Sequence, residues 1–156
     1  MSEITLKMAK NEDDFKICDK FLEKLINYES NIDNIIMPNV TINNCYANSA
    51  KKENIYLTIA EYNEKAVGYV FAFLKHKKGS IDKKNVVFVE ALYVDDSYRG
   101  LGIGKKLMNS VDLWAKQNFG NDYVIEVMCI NNNISAMNFY KSLGYMLERT
   151  IFRKEN

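Results

Sequence analysis

Proline and histidine are each present once, as Pro38 and His76, in a chain of 156 residues. With so little proline, and with neither an internal repeat nor a low-complexity tract, nothing divides the chain, so residues 1–156 are expected to form one domain with a self-sufficient core. His76 lies in the basic run LKHKKGS and reads as a surface-loop residue, which leaves a Ser-His-Asp hydrolase or a histidine-built metal site without support. Cysteine is scarce too: Cys18, Cys45 and Cys129 are odd in number, widely spaced and free of any CxxC pair. Reduced thiols in a cytosolic, cytoplasmic setting are expected, with no disulfide framework and no zinc. Charge of one sign is absent in bulk, since 21 basic and 20 acidic side chains leave a net charge of +1. Anion recognition must therefore be local. The polar opening MSEITLKMAK gives no sign of a leader, and the longest apolar run, AVGYVFAFL, is far short of the roughly 20 residues of a membrane span. No membrane is expected as a partner. Nucleic acid is not expected either, because the one basic cluster, KHKKGSIDKK, has no stacking aromatics among its lysines.

What is present is a succession of periodic segments. EITLKMA alternates as a strand does, and from Asp13 onward Phe15, Cys18, Phe21, Leu22, Leu25 and Ile26 fall at helical spacing, with Asn11 or Asp13 to cap the start. Residues 30–53 are irregular, with a short helix around Asn44 to Lys52. NIYLTIAEY and AVGYVFAFL, joined by the polar NEK, read as a hairpin. VVFVEALYV is apolar enough to be buried on both faces, except at Glu90. A helix from Gly104 to Phe119, the strand DYVIEVMCI, a helix from Ser135 to Leu143 ended by Gly144, and a closing strand YMLERTIFR complete the order. This is an α/β domain: a mixed, mostly antiparallel central sheet flanked by helices.

Glycine is also rare, with seven in the chain, yet three of them fall at alternate positions in YRGLGIGKKLM. A glycine-rich turn between a strand and a helix lets backbone approach a ligand, and the helix start leaves N–H groups unpaired at the positive end of its dipole. Such a turn suits a phosphate or pyrophosphate, with Arg99, Lys105 and Lys106 adding positive charge. A tight connection that merely needs flexible residues explains the glycines equally well. A P-loop is excluded because Arg99 and Lys106 occupy its glycine and Ser/Thr positions, and a Rossmann fingerprint because Lys105 stands where its third glycine belongs. The spacing is R-x-x-G-x-G.

EALYVDDSYRGLGIGKKLM followed by NNISAMNFYKSLGY resembles the two signature segments of the GCN5-related N-acetyltransferases, the GNAT family. The resemblance covers about the second half of the chain and implies acetyl-coenzyme A as co-substrate, with no metal. It implies that backbone N–H groups of Arg99, Gly100, Leu101, Gly102, Ile103, Gly104 and Lys105 hold the pyrophosphate. It further implies that Leu92, Tyr93 and Val94 pair with the pantetheine arm, that Asn133 bonds the same arm with Ala136 beside it, and that Tyr140 lies next to the thioester sulfur. Asp96 departs from the proline many relatives carry there, which bears on the rigidity of the turn.

Acetyl transfer to an amine needs a neutral nucleophile, whereas an alkyl ammonium has a pKa of about 10.4. Glu90, two residues before Leu92, is the candidate base, directly or through water; the alternative is a sheet-edge glutamate or one paired with a buried cation. Tyr140 is the candidate proton donor to the leaving thiolate, and the Leu92 N–H the donor to the thioester carbonyl. A tyrosine on an apolar helix stripe can equally be a core residue with a satisfied hydroxyl. The resemblance places the acceptor near YESNIDN, Glu61 and Tyr62, where acidic groups suit a cationic amine. The expected activity is N-acetylation of a primary amine of a small molecule or of an exposed protein amine. An acyl-coenzyme A sensor and a protein interaction module remain alternatives, and a homodimer through the C-terminal strands is what the resemblance, not the sequence alone, allows.

Overall fold

The computed structural model describes residues 2–156. A five-stranded sheet runs β1 (Ile4–Met8), β2 (Ile55–Tyr62), β3 (Lys65–His76), β4 (Asn85–Val94) and β5 (Tyr123–Val127) in that spatial order. The first three pairings are antiparallel and β4 with β5 is parallel. The hairpin between β2 and β3 turns on Asn63 and Glu64, both at positive φ, as a two-residue turn between right-twisted strands requires.

Helix α1 (Glu12–Ser30) is capped by Asn11, whose side chain accepts from the Asp14 N–H at 2.9 Å. Together with the short α2 (Cys45–Ser49) it covers one face of the sheet. Cys18, Phe21, Tyr46, Tyr69, Phe71, Ala91 and Tyr93 form the core there. At its centre the hydroxyls of Tyr46 and Tyr69 bond each other at 2.7 Å, which satisfies two polar groups that burial would otherwise penalise. Helix α3 (Ile103–Phe119) covers the other face with Ile103, Leu107, Met108, Val111 and Ala115. Fully burying each of its larger aliphatic side chains contributes roughly 1.5–3 kcal/mol. Helix α4 (Ile134–Ser142) packs on the α3 side through Phe139, Tyr140 and Leu143.

Two expectations are corrected. DYVIEVMCI is a strand only over Tyr123–Val127, after which the chain leaves the sheet and Met128 is exposed. YMLERTIFR is not a strand. An alternating pattern forms a ladder only where an edge pairs with it. Here the segment instead crosses to the end of α1, where the Arg153 guanidinium grips both carboxylate oxygens of Asp33 at 2.8 Å. Met146, Leu147, Ile151 and Phe152 are left exposed.

Candidate functional site

The early end of β5 creates the site. β4 is paired with β3 as far as Val94, but with β5 only as far as Val89 opposite Val127. From Glu90 to Val94 its second edge is therefore unpaired, a break in the ladder, or slot, on the side where the chain leaves the sheet after Val127. Among the residues expected there, Tyr93 turns its ring into the α1-side core, while Leu92 and Val94 pack toward α3.

Beyond Val94 a single 3-10 turn, Asp96–Tyr98, leads into the glycines. Asp96, where a proline would stiffen the turn, instead holds Arg99 Nη1 at 3.1 Å. Gly100 and Gly102 take φ of 78° and 82°, flanking Leu101 in a backbone concavity of the kind that binds anions. The N–H groups of Gly100, Leu101, Gly102, Ile103, Gly104 and Lys105 make no hydrogen bond among the described residues, and α3 begins at Ile103 with its dipole behind them. Ile103 is buried, Leu101 exposed. Gly104 has a second reason to be glycine: a Cβ there would lie 3.2 Å from the Phe139 ring, so its absence seats α4 against α3.

Arg99 and Lys106 are placed otherwise than expected. The Arg99 N–H goes to the Asp96 carbonyl, its Nε donates to the Val94 carbonyl at 3.0 Å, and its guanidinium lies 5.0 Å from the Tyr28 ring centre and 5.7 Å from that of Tyr93. It braces the turn against the last turn of α1 more than it offers charge to a phosphate. Lys106 directs its ammonium to the Ile4 carbonyl at 2.8 Å, away from the turn.

After β5, Asn133 caps α4, its side chain accepting from the Ala136 N–H at 3.2 Å. Two turns beyond that cap, Tyr140 packs between Phe139 and Tyr145 with ring centres 5.2 and 5.9 Å away. Burial, with smaller contributions from Cys129, Tyr145 and Glu29, pushes its phenol well above the usual range, so the hydroxyl keeps its proton. Cys129 lies half-buried just past β5, its thiol pushed up by burial first and then by the Glu29 charge.

Glu90 is explained by a bulge. Phe71 pairs with Ala91 and Ala72 with Val89, so Glu90 has no partner on β3 and is exposed. It makes no ion pair among the described residues, which removes the buried-cation alternative. The bulge turns it to the α1 and α2 side, where its charge is felt at Cys45 and Tyr46.

The family model for the acetyltransferase (GNAT) family matches residues 21–145. The chain belongs to the GNAT family. An uncharacterised N-acetyltransferase of Methanocaldococcus jannaschii is 32% identical over 95 residues, which cover 61% of this chain and 41% of that protein, so the GNAT chain spans less than half of that relative. Among solved structures, aminoglycoside N-acetyltransferase AAC(6')-Iy with the bisubstrate analogue CoA-S-monomethyl-acetylneamine superposes with a TM-score of 0.75 at 19% identity, covering 99% of both chains. Arabidopsis thaliana Naa50 with the bisubstrate analogue CoA-Ac-MVNAL gives 0.67 at 27% identity, over 95% of this chain and 86% of that one. The mixed, mostly antiparallel sheet of this GNAT domain is the fold they share.

Sequence reasoning missed Gly68, whereas Tyr28 and Glu29 lie within the stretch YESNIDN expected at the acceptor. Gly68 of β3 gives Tyr93 its room, Tyr28 of α1 carries Arg99, and Glu29 beside it is half-buried with its carboxyl pushed up by burial and by Asp33. For Glu29 the only trace in sequence is its place in the acidic stretch YESNIDN. Among the described residues no group of three or more His, Cys, Asp or Glu is placed to hold a metal.

Proposed function

We propose that this GNAT domain transfers the acetyl group of acetyl-coenzyme A to a primary amine of a small molecule or of an exposed protein amine. The observation that carries the reading is the continuity of the slot with the unpaired N–H groups of Gly100 to Lys105: an extended arm ending in a pyrophosphate fits the two together. Structural neighbours crystallised with coenzyme A bisubstrate analogues support it. In this reading the open edge of Leu92 to Val94 pairs with the pantetheine arm, with Asn133 and Ala136 at its far side, and the Leu92 N–H meets the thioester carbonyl. Tyr140 donates its proton to the departing thiolate, a role that the upward push on its phenol serves by keeping it protonated through alkaline pH. Glu90 faces the acceptor side from the bulge, in contact with water, and draws off the amine's proton. The free thiols of Cys18, Cys45 and Cys129 fit a reducing, cytoplasmic setting.

The test is a thermal shift with acetyl-coenzyme A, followed by an amine panel of polyamines, amino acids, aminoglycosides and short peptides, with released thiol monitored. A saturable shift, and thiol release with one amine class that falls by about 10²-fold in Tyr140→Phe, is expected. No shift would sink the reading. A shift without turnover on any amine would make the domain an acyl-coenzyme A sensor.

The exposed Met146, Leu147, Ile151 and Phe152, together with the free outer edge of β5, favour a homodimer in which C-terminal segments meet that edge. Light scattering of the chain with and without Phe152→Asp tests it; a monomer in both cases removes the homodimer.

A further inference from the structure

Arg99 stands in the middle of a run of side chains that joins α1 to β4 and to the glycine turn. Phe21 of α1 lies 5.9 Å from the Tyr93 ring of β4, the Arg99 guanidinium lies 5.7 Å from Tyr93, and Tyr28 of α1 meets the same guanidinium at 5.0 Å. Between Phe21 and Tyr28 on the helix, Lys24 places its ammonium 5.6 Å from the Phe21 ring and 3.0 Å from Asp95, which leads β4 into the turn. The three α1 residues are spaced i, i+3 and i+7, one face of a helix. Arg99 is also fixed nearer its root, where Nε donates to the Val94 carbonyl at 3.0 Å and Nη1 holds Asp96 at 3.1 Å. Its planar head is therefore set in one orientation by the turn itself.

The grip falls where α1 is packed least. The fully buried side chains of the helix are Asp14, Cys18, Asp19 and Phe21, and beyond Phe21 the apolar Leu22 and Leu25 are buried only in part. A helix end with little buried area shifts at small cost, so a few surface contacts decide where it sits. That end carries Tyr28, the first residue of the stretch YESNIDN that the GNAT resemblance puts at the acceptor. At the other end of the run is the turn whose N–H groups from Gly100 to Lys105 are unpaired, and Tyr93 lies on the unpaired edge of β4. The parts of the site read as holding the pyrophosphate, the arm and the amine are thus tied together by named side chains. The ties differ in strength. Lys24 is exposed, and an exposed ion pair contributes little, whereas the Arg99 guanidinium meets two rings, one from each element.

We propose that the Arg99 and Tyr28 side chains are positioning groups that couple the two substrates: the guanidinium transmits the placement of the glycine turn to the last turn of α1, so that coenzyme A bound at the turn tightens the hold on the acceptor amine. This rests on the acetyl-transfer reading above. A pyrophosphate on the turn N–H groups orders the backbone at the root of Arg99, the head of Arg99 moves with that backbone, and Tyr28 with its helix end follows the head. Neither side chain takes part in making or breaking a bond. Coupling of this kind is a free energy shared by both sites, so the amine tightens coenzyme A by the same factor as coenzyme A tightens the amine.

The experiment measures coenzyme A affinity by calorimetry, without and with the amine of the panel above that releases thiol, and kcat and KM for that amine. Wild type is expected to bind coenzyme A about fivefold or more tightly when the amine is present. Tyr28→Leu should bind coenzyme A alone within about threefold of wild type, lose the tightening, and raise the amine KM about fivefold or more with kcat changed by less than about threefold. Tyr28→Phe, which keeps the ring under the guanidinium, should restore the tightening. Arg99→Lys, which keeps the charge but not the planar head, should lose it as Tyr28→Leu does. Lys24→Met should cost less than about twofold in KM. The proposal is overturned if wild type shows no tightening, if Tyr28→Leu or Arg99→Lys keeps it, or if Tyr28→Leu weakens coenzyme A alone and leaves the amine KM unchanged. It is also overturned if Tyr28→Phe fails as Tyr28→Leu does, because the hydroxyl then touches the amine directly. A wild-type chain that binds no coenzyme A, or releases thiol with no amine, defeats acetyl transfer itself before any variant is compared.

Discussion

Gly68 ties the fold to the site more tightly than any residue of the glycine turn. It lies in β3 opposite Val94, and a Cβ there would stand 2.5 Å from the Tyr93 carbonyl oxygen and 3.1 Å from the Val94 Cα. Both neighbours are backbone, so no side-chain rotamer relieves Gly68→Ala; β3 and β4 must part. Forcing a methyl into a filled site costs about 1–3 kcal/mol. The alanine recovers only about 0.4–1 kcal/mol by restricting the unfolded chain. A net loss of about 1–2 kcal/mol lowers Tm by roughly 2–8 °C in a domain of this size. The displaced strand carries Leu92 to Val94, so the wall of the slot moves with it, and the acetyl-coenzyme A shift should shrink beyond what the lower starting Tm explains. Circular dichroism melts with and without acetyl-coenzyme A read both quantities. A Tm within about 1 °C of wild type, with the ligand shift unchanged, would refute the reasoning and the register on which it stands.

Two further outcomes follow from single contacts. Gly102→Ala places a side chain at φ 82° with nothing within 4 Å of its Cβ, so its cost of about 1–2 kcal/mol is purely conformational; calorimetry with acetyl-coenzyme A should show weakened binding, and unchanged affinity would remove the turn from the phosphate site. Burial raises the Asp14 carboxyl, but the Lys7 ammonium and the N–H of Lys10 outweigh it and hold the group below its usual 3.8. Its contribution is therefore present above that pH and is lost as pH falls through the lowered value. Asp14→Ala should cost about 1.5–3 kcal/mol at neutral pH and flatten the loss of stability below about pH 4; urea melts at pH 7 and pH 3 check both.

The elements that follow from local rules were legible. Helical spacing from Phe15 to Ile26 and the Asn11 cap placed α1, the polar NEK marked the hairpin, and the alternate glycines marked the strand-to-helix turn. The two signature segments led to the GNAT family, which the match over residues 21–145 bears out. The closing strand failed because alternation in YMLERTIFR states only a preference, and the Arg153 grip on Asp33 carries that segment elsewhere. Glu90 was visible as an anomaly in an apolar strand, but not its cause, since a bulge is a relation between two strands and leaves no mark in one.

Local chemistry, written in neighbouring residues, thus determined the helices, the hairpin and the phosphate-type turn. Tertiary structure decided where the sheet stops pairing, and so where the slot opens. It set Gly68 against the Tyr93 carbonyl and seated Phe139 of α4 against Gly104 of α3. Register, bulges and proximity across a sheet depend on partners distant in the chain, and a spacing rule reaches only as far as the next turn of its own helix or the next residue of its own strand.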